Sequence, residues 1–241
     1  MTWQGKSVLA VIPARGGSKS IPRKNLVKLD GISLVGRAIK IALSIPWIDH
    51  IILSTDDEEI AAEGRLNGIK VPFMRPTELA GDKSNSIEMW KQVWLTSEDY
   101  FGVRFDYSLL LEPTSPLRNS ADVERTMCAL TENNHEAAAT FSRTPAHYTP
   151  HKTLTIDQAG IVGFYLPEGA RHSLRQSIPP YYHRNGICYA VRRDTLVERG
   201  TIIESNCAAV LIDRHVVNID EMIDLKLAEL LLMEQKRVDL P

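Results

Sequence analysis

The sequence predicts an α/β fold with a mostly parallel sheet flanked by helices, and three observations predict it. Short, continuous apolar runs rich in β-branched residues recur at 7–13, 50–54 and 107–111, the pattern of strands buried on both faces. Each run leads through a loop into a stretch of helical spacing, and strand–loop–helix repetition implies parallel pairing. The chain has 241 residues, enough for one substantial domain, with 44% hydrophobic and 24% charged residues, ordinary values for a globular protein.

Taken in order, 7–13 is a strand that ends in a glycine loop. Residues 33–44 place Leu34, Ala38, Ile41 and Ala42 on one helix face. A second strand, 50–54, leads into a helix through Ile60 and Ala61, with Thr55 and Asp56 as its expected caps. A short strand at 69–73 and a helix over 84–97 follow. The third long strand, 107–111, breaks at Pro113, and Asn119 caps a helix reaching about residue 133. Residues 136–141 return as a strand.

From Ser142 the rhythm changes. Prolines at 145, 150, 167, 179 and 180, with alternating stretches at 152–156 and 161–166, predict short antiparallel strands and turns. Strands at 186–191 and 208–212 and a helix at 221–236 resume the main pattern, so the middle segment is an excursion from the sheet. In such sheets ligands bind beyond the carboxyl ends of the strands. The loops after Pro13, Leu53, Phe73 and Leu111 are therefore the informative ones.

Composition narrows the function. A net charge of −2 gives no global basic field for nucleic acid, so any anion site is built locally. The three cysteines, Cys128, Cys188 and Cys207, form no CxxC pair and read as inert thiols. The apolar run 8–14 is too short to span a membrane and leads into Arg15-Gly16-Gly17, so a cytoplasmic protein without a membrane partner is expected.

The loop after the first strand holds Arg15, Lys19, Arg23 and Lys24 with no acid before Asp30. Gly16 and Gly17 permit positive φ and let backbone amides approach an anion, while the cations neutralise it. A triphosphate suits such a loop. Neither GxxxxGK[ST] nor GxGxxG is present, which counts against a P-loop or a dinucleotide fingerprint.

The stretch Arg15-Gly-Gly-Ser-Lys-Ser-Ile-Pro-Arg-Lys-Asn-Leu26 resembles the signature of acylneuraminate cytidylyltransferases, the CMP-sialic acid synthetases and their relatives. Further similar motifs follow in order: Ser54-Thr-Asp56, Arg75-Pro-Thr-Glu-Leu-Ala80, Leu111-Glu-Pro-Thr-Ser-Pro-Leu-Arg118, Arg175-Gln176, Asn185-Gly186 and Asn218-Ile-Asp-Glu-Met-Ile-Asp-Leu225. The resemblance implies a Rossmann-like nucleotidyltransferase fold, CTP and an acidic nine-carbon sugar as substrates, magnesium, and a homodimer built through an inserted segment at about 142–184. It places Arg15, Ser18, Lys19 and Lys24 around the phosphates, and Asn25, Arg75 and Ser86 at the ribose and base. Lys152 and Arg175 are expected to grip the sugar, with Asn185 and Tyr189 nearby. Arg15, Lys19 and Asp220 are the expected catalytic residues. A 3-deoxy-manno-octulosonate or sugar-1-phosphate nucleotidylyltransferase would share the phosphate loop, and an idle nucleotide-binding module would share the fold.

Two positions depart from the pattern. Relatives often carry Asp-Ile-Asp where this chain has Asn218-Ile-Asp220. Asp220 is the expected magnesium ligand, and Asn218 offers an oxygen without charge. Many relatives carry glutamine where this chain has Glu112, a position that faces the sugar. A carboxylate there repels an acidic sugar unless something positive intervenes. It also makes a legionaminate- or pseudaminate-like nonulosonate as good a candidate as N-acetylneuraminate. His147 and His151 flank Pro150 and make no HExxH helix, and neither Ser18 nor Ser115 shows a triad.

Overall fold

The computed structural model describes residues 2–81, 84–171, 175–204 and 206–238, with the side chains of Arg175 and Val238 outside that description. The elements run β1 (Val8–Pro13), β2 (Lys28–Leu29), β3 (Ile32–Ser33), α1 (Leu34–Leu43), β4 (His50–Ser54), α2 (Glu58–Leu66), α3 (Ser86–Phe101), β5 (Tyr107–Leu110), α4 (Ser120–Glu132), β6 (Ala137–Arg143), β7 (Leu154–Ile156), β8 (Val162–Phe164), β9 (Tyr182–Arg192), β10 (Cys207–Leu211) and α5 (Met222–Val238).

Six strands form the main sheet in the order β10-β6-β9-β5-β1-β4. β1 pairs in parallel with both β4 and β5, and β10 with β6, while β9 lies antiparallel between β5 and β6. Alternation along β1 divides the core. Val8, Ala10 and Ile12 pack with Val35, Ala38 and Ile39 of α1 and with Val123, Met127 and Leu130 of α4. Leu9 and Val11 face Met89, Trp90, Val93 and Trp94 of α3 on the other side. Burial of these rings and aliphatic chains is the main stabilising term, about 1.5–3 kcal/mol for each large side chain. α5 closes a third cluster with Leu225 and Ala228 against Ile21, Leu29 and Leu34.

The caps explain where the helices start. Ser33 caps α1 through the Gly36 amide, Asn85 caps α3, and Asn119 with Asp122 forms a reciprocal capping box on α4. Two expectations are corrected. The cap of α2 is Asp57, whose carboxylate accepts from the Glu59 and Ile60 amides, and this leaves Asp56 for another task. The segment 69–73 is not a strand: Gly68 turns at φ +92, Pro72 has no N–H for a ladder, and Ile69 packs its side chain into the core instead.

The described residues between Arg143 and Tyr182 add no strand to the main sheet. β7 and β8 form a separate antiparallel hairpin. Leu154, Ile156, Val162 and Phe164, its apolar residues, are all exposed.

Candidate active site

At the carboxyl ends of β1 and β5 lies a cleft of ≈ 540 Å³, the place where an open α/β sheet offers a ligand site. Arg15, Ser18, Lys19, Lys24 and Asn25 come from the loop after β1, and Arg75 from the segment after α2. Ser86 comes from the start of α3, Glu112 from the loop after β5, and Asn218 and Asp220 from the approach to α5. Ten sequence-derived candidates thus share one cavity. Four of them are cations, against the two carboxylates of Glu112 and Asp220.

The loop after β1 is tied down rather than pliant. Asp56 accepts the Gly16 amide at 2.9 Å, and Asn25, itself buried, donates to the Arg15 carbonyl at 2.9 Å. Gly16 and Gly17 do not adopt positive φ, contrary to expectation. Glycine at 16 answers a close approach instead: a Cβ there would lie 2.7 Å from Asp57 Oδ2. The left-handed residue of the loop is Arg23, at φ 54, and its guanidinium reaches Asp57 Oδ1 at 3.0 Å and Glu59 Oε2 at 2.9 Å. Arg23 therefore fastens the loop to α2, while Arg15, Lys19 and Lys24 line the cleft.

Arg75 is buried, donating from Nε to Ser54 Oγ at 3.0 Å and from Nη2 to the Ser54 carbonyl at 2.7 Å. Burial brings its pKa down to about 10, with Asp56 opposing and Arg15 adding to the fall, so it stays charged at neutral pH. Opposite it, the loop and the segment before α5 are joined. Lys24 Nζ donates to the Ile219 carbonyl at 2.9 Å and to Asp220 Oδ1 at 3.1 Å, and Ser20 Oγ donates to the Asp220 carbonyl. Asp224 does the capping of α5, accepting the Asp220 and Glu221 amides at 2.9 and 2.7 Å. That leaves the largely exposed Asp220 carboxylate facing the cleft.

Glu112 is held against β9. A Cβ on Gly186 would run into the Glu112 carboxyl oxygen, and Gly186 has φ +70, so only glycine fits there. Burial raises the Glu112 pKa, and the Asp220 carboxylate adds to the rise, while Arg118, Arg184 and Lys24 oppose it. Arg118 is enclosed beneath, donating to the Glu112 carbonyl at 2.7 Å, the Gly186 carbonyl at 3.1 Å and the Ile187 carbonyl. It binds the loop after β5 to β9.

Of the sugar-side candidates Glu112 lines this cavity, while Asn185, Tyr189 and Lys152 lie outside its lining. Asn185 is buried, accepting from Thr140 Oγ1 at 2.6 Å and donating to Ser142 Oγ at 3.0 Å. Tyr189 is 8% exposed in the core, and burial followed by the Glu112 charge raises its phenol pKa. Lys152 follows a short turn in the excursion, its amide donating to the Thr149 carbonyl at 2.9 Å. The Arg175 side chain lies outside the described residues.

Another cavity, of ≈ 390 Å³, sits at the amino ends of β1 and β5, lined by Lys6, Asp106, Arg192 and Arg193 among others. Its charges are largely satisfied internally, Lys6 by Asp106 at 3.1 Å and Arg193 by Glu98 at 2.9 Å. Among the described residues no helix is long and apolar enough to cross a membrane, and no cluster of three His, Cys, Asp or Glu could hold a metal alone.

Comparison with known proteins shows the family. A family model described as cytidylyltransferase matches residues 9–238. The chain belongs to the cytidylyltransferase family. This cytidylyltransferase is 31% identical over 229 residues to post-translational flagellin modification protein B of Campylobacter coli, covering 95% of this chain and 96% of that one. It is 30% identical over 226 residues to the CMP-N,N'-diacetyllegionaminic acid synthase of Campylobacter jejuni, covering 93% and 94%. Among solved structures, CMP:2-keto-3-deoxy-manno-octonic acid synthetase in complex with CTP superposes with a TM-score of 0.70 at 18% identity, covering 95% of this chain and 99% of that one. That likeness shows the Rossmann-like nucleotidyltransferase fold. The expected enzyme class, a nucleotidyltransferase using CTP, therefore stands for this cytidylyltransferase.

Sequence reading gave no role to Asp57 or Arg118, and it gave other roles to Asp56, expected as a helix cap, and Arg23, expected as a phosphate-side cation. The signal for the roles they have was stereochemical. A glycine-rich loop and a Pro-rich loop each expose backbone polar groups that a nearby charged side chain must satisfy.

Proposed function

We propose that the enzyme transfers CMP from CTP to the anomeric hydroxyl of a sialic-acid-like nonulosonate, giving CMP-sugar and pyrophosphate. The observation that carries this reading is the junction of the triphosphate loop with Asp220 through Lys24, with Glu112 on the same wall. Relatives named for CMP-N,N'-diacetyllegionaminic acid synthesis support the nonulosonate.

In this reading Arg15, Ser18, Lys19 and Lys24 hold the phosphates, and Asn25, Arg75 and Ser86 border the ribose and base. The anomeric oxygen bonds to the α-phosphorus, the bond to the β-phosphate bridging oxygen breaks, and the hydroxyl proton passes to solvent. Arg15 and Lys19 stabilise charge on the phosphates as it develops, and the rigid loop positions them without reorganisation. The donor set fits a hard divalent cation such as magnesium, which takes one or two carboxylates with phosphate oxygens and water. Asp220 would hold it, with Asn218 as an uncharged second oxygen. When bound, it neutralises phosphate charge and favours pyrophosphate departure.

The exposed apolar hairpin supports a homodimer built through the segment at about 142–184, with Lys152 and Arg175 acting at the partner's sugar site. An exposed apolar patch of this kind marks an interaction surface. A cytoplasmic location agrees with CTP as substrate.

The test is a mass-resolved screen of purified protein, magnesium and CTP against N-acetylneuraminate, legionaminate, pseudaminate and 3-deoxy-manno-octulosonate derivatives. A CMP-nonulosonate with stoichiometric pyrophosphate is expected. Turnover of the octulosonate alone, or none, overturns the reading. Sedimentation of wild type and Ile156→Asp checks the dimer, and a monomeric wild type removes it.

A further inference from the structure

Glu112 places a carboxylate where an acidic sugar is expected, and the cleft has to resolve that conflict. The nearby cations are engaged elsewhere: Lys24 is on Asp220, Arg75 is on Ser54, and Arg118, whose charge offsets part of that of Glu112, is enclosed on backbone carbonyls and does not reach the cleft. One further arginine faces Glu112. Arg184 stands on β9, paired in register with Phe141, two residues before the Gly186 backbone on which the Glu112 carboxyl rests. Its side chain is exposed, and among the described residues it makes no hydrogen bond or ion pair. Two residues from Gly186 along a strand, it shares the face on which the Glu112 carboxyl rests, and its charge acts on the Glu112 carboxyl, the Tyr189 phenol and the Glu204 carboxyl.

We propose that Arg184 is a specificity-determining residue of the sugar half-site, its guanidinium taking the substrate's carboxylate while offsetting the charge of Glu112. The proposal rests on the nonulosonate reading above. Arginine suits the task because its planar fork meets a carboxylate with two parallel hydrogen bonds and it remains charged at all working pH values. Glu112 is then free to accept from an N–H of an amino or acetamido substituent. The pair reads the acid and the amide of one sugar together, and each residue at its position makes the other tolerable. Buried Asn185 fixes the strand between them through Thr140 and Ser142, so the spacing of the two charges is set by backbone.

The experiment compares wild type, Arg184→Ala, Arg184→Lys, Glu112→Gln and the Glu112→Gln/Arg184→Ala double variant with the best nonulosonate from the screen. Arg184→Ala should raise KM for the sugar about 10- to 100-fold, the range of a charge-assisted hydrogen-bonded contact. KM for CTP should stay within about twofold and the thermal midpoint should be unchanged, because the side chain is exposed. Lysine should restore part of the loss, since it keeps the charge without the fork. In the double variant the loss should be smaller than in Arg184→Ala, because the carboxylate at 112 no longer repels the sugar. An unchanged sugar KM in Arg184→Ala, or equal losses with and without Glu112, overturns the assignment. Wild type that binds CTP yet turns over no nonulosonate overturns the substrate reading and this inference with it, a result distinct from an active wild type indifferent to residue 184.

Discussion

The two halves of the cleft are built differently. On the nucleotide side every loop is braced from behind: Gly16 on Asp56, Arg23 on Asp57 and Glu59, Asn25 on Arg15, Arg75 on Ser54. On the sugar side the fixed part is the strand β9 with Glu112 packed over Gly186, and the separate hairpin β7–β8 leaves Leu154, Ile156, Val162 and Phe164 exposed. A triphosphate presents the same charge in every reaction, so a preformed cradle serves it. Of the two positions where this chain departs from the family pattern, Glu112 lies in the sugar half and Asn218 beside Asp220, where the two halves meet.

The largest expected effect tests the nucleotide half. Lys19 lines the cleft on an exposed stretch of the loop, so its loss removes phosphate stabilisation while costing the fold little. Lys19→Ala should lower kcat/KM for CTP about 10²- to 10³-fold, the usual scale for one stabilising donor at a developing charge. The midpoint of thermal unfolding should move by no more than about 2 °C. Wild-type kinetics in that variant would take the loop out of the mechanism.

A smaller effect tests the sugar half. Burial raises the folded-state pKa of Glu112 above the ordinary 4.5, with the Asp220 charge adding to it. The folded protein then binds this proton more tightly than the unfolded chain. The contribution to stability is complete below about pH 4.5, and it falls as pH rises through the folded value. Glu112→Gln removes the term. The variant should match wild type in acid and become the more stable of the two towards neutral pH, measured by urea unfolding across pH 4–8. Its preference among sugars should also move towards N-acetylneuraminate. A stability difference independent of pH would mean that Glu112 is not held in the buried state described here.

Much of this was legible in the sequence, for physical reasons. Buried parallel strands announce themselves as apolar runs, so β1, β4 and β5 and the helices after them were found within a few residues. The cleft residues sat in the loops where such a sheet places ligands. What stayed hidden was long-range pairing of charge. Nothing local tells that Asp57 rather than Asp56 caps α2, or that the freed Asp56 takes the Gly16 amide 40 residues away. Pattern also failed at 69–73, where apolar residues pack into the core without a ladder, because burial of side chains does not require pairing of backbone.

The smallest effect separates Arg23 from the three loop cations that the resemblance places around the phosphates. Arg23 was read as one more phosphate-side charge, yet its guanidinium points at Asp57 and Glu59, about half exposed to solvent. Exposed ion pairs of this kind contribute roughly 0–1 kcal/mol, lowered further by salt. Arg23→Ala should therefore lower stability by less than about 1 kcal/mol and change KM for CTP by no more than about threefold. Kinetics at two salt concentrations check the point, since a phosphate ligand and a loop brace respond differently. A loss as large as that of Lys19→Ala would place Arg23 among the phosphate ligands and show that the loop turns over when nucleotide binds. A small loss leaves Arg15, Lys19 and Lys24 as the charges the triphosphate meets, and fixes the division between residues that hold the nucleotide and residues that hold the loop.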